Sequence, residues 1–284
     1  MKILTKNDIC VILFYGSNAI RKLCFLQFSN EKEVKCMPKK IAELKEMNYK
    51  EAYNFFIKES RDGTREAVEY IYKVAKKCHP QDIRGGSVPK EIYQGGWLIL
   101  IDGETCSGKT RIANEIKARY PDTVEVVDID AICLDFIRKE MATFEDNSEE
   151  QINFLKNVFE YVDKFVSTNL EAIVAQKSAG GSKSVIVPNV YLDTLSRVVT
   201  ATTLGKHFEK SAFLTVHESW ETLISFFEKR KNLYPKADEG VIALQVSEAK
   251  RQYDAMEEVL AGTKYYLGFG TDLSFIVNKE TDLY

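Results

Sequence analysis

The segment Gly103-Glu104-Thr105-Cys106-Ser107-Gly108-Lys109-Thr110 fits the pattern GxxxxGK[ST] and constrains the chain more than any other feature. An apolar run, Trp97 to Asp102, precedes it, and a stretch with helical periodicity opens at Gly108. A loop that wraps an anion must turn its backbone N–H groups inward. Glycine permits this, because it accepts positive φ and carries no side chain to clash. The helix that follows offers its free N–H groups and the positive end of its dipole to the same anion. Within such a loop Lys109 reaches the β- and γ-phosphates of a nucleoside triphosphate, and the Thr110 hydroxyl completes a magnesium shell. The nucleotide-binding set is therefore Gly103, Glu104, Thr105, Cys106, Ser107, Gly108, Lys109, Thr110 and Arg111. The implied ligands are ATP (or GTP) and Mg²⁺.

The sequence around the loop alternates between strand and helix patterns. Strands are expected at 97–102, 124–127, 184–187, 212–216 and 274–277. Helices are expected from Gly108, at 131–141, from a Ser148/Gln151 capping box to the Gly180-Gly181 stop, through Leu192 and Val199, at about 220–231, and near 246–261. This alternation predicts an α/β fold, a three-layer sandwich of the P-loop NTPase type with a central parallel sheet. It is assigned to residues 93–284. The glycine-rich stretch Arg84-Gly85-Gly86-Ser87-Val88-Pro89, with Gly95-Gly96, marks the boundary. Residues 1–92 read as a small N-terminal α+β module. A hairpin is expected there at 9–15 and 22–28, with helices at 38–48, 49–60 and 63–78. No motif in that module connects to chemistry, and binding of a protein partner is left open.

Composition narrows the function. A net charge of −3 over 284 residues argues against a general nucleic-acid binder. Six cysteines, at 10, 24, 36, 78, 106 and 133, form neither a CxxC pair nor a disulfide framework and suit a reducing, cytoplasmic compartment. No secretory signal and no membrane-spanning run is evident. Export by a dedicated machine without a cleaved signal stays open.

The second strand, expected to lie beside the loop strand, ends Val126-Val127-Asp128-Ile129-Asp130, with Asp130 placed 21 positions after Lys109. A carboxylate at the carboxyl end of such a strand faces the ligand crevice. There it can take the proton of a hydroxyl that attacks the γ-phosphate. Residues two apart on a strand share a face, so Asp128 can point at the same site and help to hold magnesium. The competing reading makes Asp130 the N-cap of a helix starting at Ala131.

On the phosphate loop and this Asp-x-Asp the chain resembles the zeta-toxin, polynucleotide-kinase and chloramphenicol-phosphotransferase group of P-loop phosphotransferases. The resemblance implies that Asp130 is the catalytic base. It also implies a basic lid at Phe226-Phe227-Glu228-Lys229-Arg230-Lys231-Asn232-Leu233-Tyr234. There Lys229 stands where zeta toxins carry an arginine, and Arg230 can serve instead, stabilising charge on the transferred phosphoryl group. The resemblance covers about two thirds of the chain. A second lid arginine has no counterpart among residues 235–247. The third strand ends Val187-Pro188-Asn189 without an acid, and the first 90 residues match nothing in the family.

The expected activity is transfer of the γ-phosphate of ATP to a hydroxyl of a small molecule, a sugar nucleotide in zeta-toxin fashion. The alternatives are a polynucleotide 5′-hydroxyl kinase and a nucleotide-dependent switch with no acceptor. Weaker signals point elsewhere and are set aside. Asn278-Lys279-Glu280-Thr281 begins like a guanine-recognition motif but has threonine where aspartate is required. His79, His207 and His217 have no triad spacing and read as structural or surface residues.

Overall fold

In a computed structural model, the structure describes residues 43–44, 46–55, 78, 80–189, 194–233, 239–260 and 270–283. The expected hairpin at 9–15 and 22–28, residues 63–77 of the helix expected at 63–78, and most of the helix expected at 38–48 lie outside these residues. Among the described residues, six parallel strands form one sheet: β1 (Gln81–Asp82), β2 (Trp97–Gly103), β3 (Val124–Val126), β4 (Ser184–Pro188), β5 (Lys210–Val216) and β6 (Leu273–Val277). Their order across the sheet is β1-β6-β5-β2-β4-β3. The helices are α1 (Tyr49–Ala52), α2 (Lys109–Arg119), α3 (Ile129–Met141), α4 (Glu149–Lys156), α5 (Val158–Lys177), α6 (Thr194–Gly205), α7 (Trp220–Leu233) and α8 (Glu239–Leu260).

Every residue of β2 from Trp97 to Asp102 is buried, because the strand is central and covered on both faces. Its alternate residues separate two cores. Ile99 and Ile101 pack with Ile112, Ala113 and Ile116 of α2 on one face. Leu98 and Leu100 pack with Leu170 and Val174 of α5 and Ala201 and Leu204 of α6 on the other. The molecule is therefore an α/β sandwich of helix, sheet and helix layers, as the alternating pattern requires.

Packing extends upstream of residue 93. Val88, Ile92 and Tyr93 join the first core, and β1 pairs with β6. Ser184 Oγ donates to the Ile92 carbonyl (2.8 Å) and accepts from the N–H groups of Gly95 (3.1 Å) and Trp97 (3.3 Å). Tyr49 of α1 enters the second core, and its N–H donates to Glu171 of α5 (2.6 Å).

Three local expectations change. The long helix after Ser148 is two helices, interrupted at Asn157, whose amide donates to the Asn153 carbonyl at 3.0 Å and competes with the backbone ladder. The strand before Asp128 stops at Val126, and α3 starts at Ile129, so Asp128 and Asp130 do not share a strand face. Finally, β3 is an edge strand with β4 between it and β2, and is not the immediate neighbour of the loop strand. None of the described helices is long and apolar enough to cross a membrane.

Candidate active site

The connections from β2 run to β3 and β4 on one side, and the later chain builds β5 and β6 on the other. The carboxyl end of β2 is thus a topological switch point, where an open parallel sheet forms its ligand crevice. Residues 103–110 emerge there. Gly103 has φ 143°, and a Cβ on it would come within 2.3 Å of the Val216 carbonyl oxygen, so only glycine fits between β2 and β5. Cys106 (φ 72°) and Gly108 (φ 90°) also lie in the left-handed region, and Gly108 is the N-cap of α2. A non-glycine residue such as Cys106 is held at positive φ only where its surroundings enforce it.

The loop fits a phosphate chain. The hydroxyls of Thr105 and Ser107 are buried without a hydrogen-bond partner among the described residues, which marks a site that expects a polar ligand. Lys109 donates to the carbonyls of Gly103 (3.1 Å) and Glu104 (2.8 Å). Desolvation lowers its pKa, and the charges of Asp102, Glu104 and Asp130 act in the opposite sense. Thr110 and Arg111 are exposed on the first turn of α2, and Arg111 pairs with Glu115 at 2.8 Å.

The two aspartates have different positions. Asp128 is the N-cap of α3: its Oδ1 accepts from the N–H groups of Asp130 (3.0 Å) and Ala131 (3.2 Å). The cap that the competing reading gave to Asp130 thus belongs to Asp128. Asp130 lies exposed in the first turn of α3, where the helix dipole favours a carboxylate. Lys229 is exposed on α7 with its ammonium 5.8 Å from the centre of the Phe226 ring, and Arg230 is half-buried beside it. Both sit nine or more residues into α7, roughly 14 Å along the axis from its start.

Several residues that sequence reasoning passed over surround the loop. Asp102 accepts from the Gly103 N–H (2.7 Å) and forms a buried ion pair with Arg197 of α6, whose guanidinium lies over the Phe213 ring. His217 directly follows β5 and is buried. Its Nδ1 faces Glu104 Oε1, and its Nε2 lies 2.7 Å from Glu257 Oε1 of α8. Gln252 of α8 accepts the Thr105 N–H at 2.6 Å. The next residue, Glu218, is buried. Desolvation raises its pKa, opposed by a hydrogen bond from the Lys279 backbone. The signal available for His217 was its place at the carboxyl end of an apolar strand, the same edge of the sheet as the loop. Asn278, after β6, closes an Asx turn by accepting from the Glu280 N–H (3.0 Å).

No protein-family model matches the chain, and a search of the curated proteins finds no match. The structure is similar to that described for the PezAT chromosomal toxin-antitoxin system of Streptococcus pneumoniae. Identity is 15% over 82% of this chain and 76% of the other, with a TM-score of 0.35. It is also similar to a gluconokinase from Sinorhizobium meliloti 1021, at 17% identity over 60% of this chain and 98% of the other, with a TM-score of 0.29.

Proposed function

We propose that the protein is an ATP-dependent phosphotransferase that moves the γ-phosphate to a hydroxyl of a small molecule. The observation that carries this reading is the juxtaposition at residues 103–110. A loop with three positive-φ residues and two orphaned buried hydroxyls carries Lys109 at the N-terminus of α2, and Asp130 lies exposed in the first turn of α3. The α2 N-terminus and Lys109 would hold the β- and γ-phosphates. Thr110 would supply a hydroxyl to a magnesium ion, which would neutralise phosphate charge when bound.

In the transfer, the acceptor oxygen forms a bond to the γ-phosphorus while the bond to the β–γ bridging oxygen breaks. That electron pair leaves with ADP, and the acceptor proton passes to the Asp130 carboxylate. Asp130 is suited to this role because Asp128 already caps α3 and leaves it exposed. Lys229 and Arg230 serve the transition state only if the far end of α7 folds over the crevice, which makes them the lid residues of this proposal.

The reading is tested by ADP release from ATP, measured with and without a panel of sugar nucleotides, simple sugars and 5′-hydroxyl oligonucleotides. The proposal expects one acceptor class to stimulate release and the Asp130→Asn protein to lose that stimulation. ATP binding with no stimulation by any class would favour a nucleotide switch instead.

A further inference from the structure

Glu104 presents a difficulty for a phosphate loop. It is the second residue of the loop, its side chain is 2% exposed, and its Oε2 has no hydrogen-bond partner among the described residues. An uncompensated carboxylate at that depth would repel the phosphates the loop is shaped to hold. Its compensation is His217. A carboxylate oxygen only accepts, and the two ring nitrogens of His217 face two different carboxylates, Glu104 and Glu257. With both carboxyl groups ionised, both nitrogens carry hydrogen and the ring is an imidazolium.

We propose that His217 is a positioning residue of the nucleotide site: its charge neutralises Glu104 inside the phosphate loop and ties the loop to α8. The inference rests on the nucleotide-binding part of the function proposed above. A second contact from the same helix supports it. Gln252 Oε1 accepts the N–H of Thr105, and Gln252 Nε2 donates to Glu248 (3.3 Å), which fixes the amide orientation. Of the successive loop residues, Thr105 is thus held directly by Gln252, and Glu104 is linked through His217 to Glu257, further along α8. The imidazole ring also packs 5.0 Å from the Tyr253 ring of that helix. Residues 239–260 therefore act on the shape of a loop more than 130 positions earlier in the chain.

The charged groups around His217 are Glu104 of the loop, Glu257 of α8 and Asp82 of β1, with Tyr253 of α8 as a further titratable neighbour. Arg84 acts on Glu257 and Tyr253, while Lys109 and Glu218 act on Glu104. Burial of the ring lowers its pKa, but the hydrogen bonds and charges of Glu104 and Glu257 prevail and raise it above the ordinary histidine value of 6.5. The ring therefore keeps its charge to higher pH than an ordinary histidine and loses it as pH rises further.

The test is calorimetric titration of the full chain with magnesium and ATP at pH 7. It compares the wild type with Lys109→Ala, His217→Asn, Glu104→Gln and the Glu104→Gln/His217→Asn double variant, with a melting curve for each. His217→Asn is expected to weaken binding by about tenfold or more, because it leaves a buried carboxylate unpaired. Adding Glu104→Gln to His217→Asn should recover affinity, so that the penalty of His217→Asn is smaller in the Glu104→Gln background than in the wild type. A folded His217→Asn protein with wild-type affinity would overturn the proposal, as would a double variant as weak as His217→Asn alone. If His217→Asn does not fold, titrations of the wild type and Glu104→Gln in a pH series rising from 6.5 decide. Affinity that falls with pH only in the wild type supports the coupling, and parallel profiles refute it. Absence of ATP binding by the wild type would refute both the function and this inference. Binding that is lost in Lys109→Ala, but without the charge pattern, would refute the inference alone.

Discussion

Gly103 and the aspartate pair carry the sharpest residue-level tests. Gly103→Ala places a methyl group against the Val216 backbone at a φ of 143°, so a loss of more than about 1 kcal/mol in unfolding free energy is expected by denaturant titration. Asp128→Ala removes the α3 cap and should cost about 1 kcal/mol, whereas Asp128→Asn should cost only a few tenths. Asp130→Asn should leave stability within about 0.5 kcal/mol of the wild type, because the residue is exposed and not a cap. Its phosphoryl transfer should fall by about 10²-fold or more. Equal stability losses for Asp128→Ala and Asp130→Asn would contradict this division of roles. The loop was legible because its glycine spacing is a backbone requirement written locally. Which aspartate caps was not, since a helix start displaced by two residues reassigns the role. His217 was illegible for a different reason: its partners, Glu104 and Glu257, stand 113 and 40 positions away.

At the scale of elements, hydrophobic patterning identified the central strands and most helices, because burial on two faces leaves continuous apolar runs such as Leu98 to Ile101. It did not reveal the strand order, which depends on which crossover packs on which face. Edge strand β3 is held in that order partly by charge. Glu125 accepts ion pairs from Lys117 of α2 (2.9 Å) and Lys183 (3.0 Å), with Lys177 of α5 at 3.8 Å. The Lys117 hydrogen bond, more than offsetting desolvation, and the Lys183 bond hold its carboxyl at about 2, below the usual 4.5. A depressed folded-state pKa stabilises the protein fully above 4.5 and loses that contribution as pH falls towards 2. Glu125→Gln should therefore lower stability at pH 7 and flatten its decline between those two values, measured by urea unfolding across pH. An unchanged acid slope would remove Glu125 from the account.

For the whole molecule, the glycine-rich stretch at 84–96 looked like a linker, yet the packing runs through it. Val88 and Ile92 are 1% and 0% exposed, and β1 adds a strand beside β6. Each such side chain contributes roughly 1.5–3 kcal/mol through burial. A fragment of residues 93–284 should therefore be several kcal/mol less stable than one of residues 79–284, as compared by chemical denaturation. Equal stability would place the boundary at 92/93 after all. Glycine marks positive φ as readily inside a domain as between two, which is why composition alone read the segment as a break. The account as a whole depends on the loop at 103–110 holding a triphosphate through Lys109. Calorimetry of the full chain with magnesium and ATP tests this most directly. The expected result is one site per chain in the wild type and none in a Lys109→Ala protein of unchanged melting temperature; equal binding by both proteins, or by neither, would contradict it.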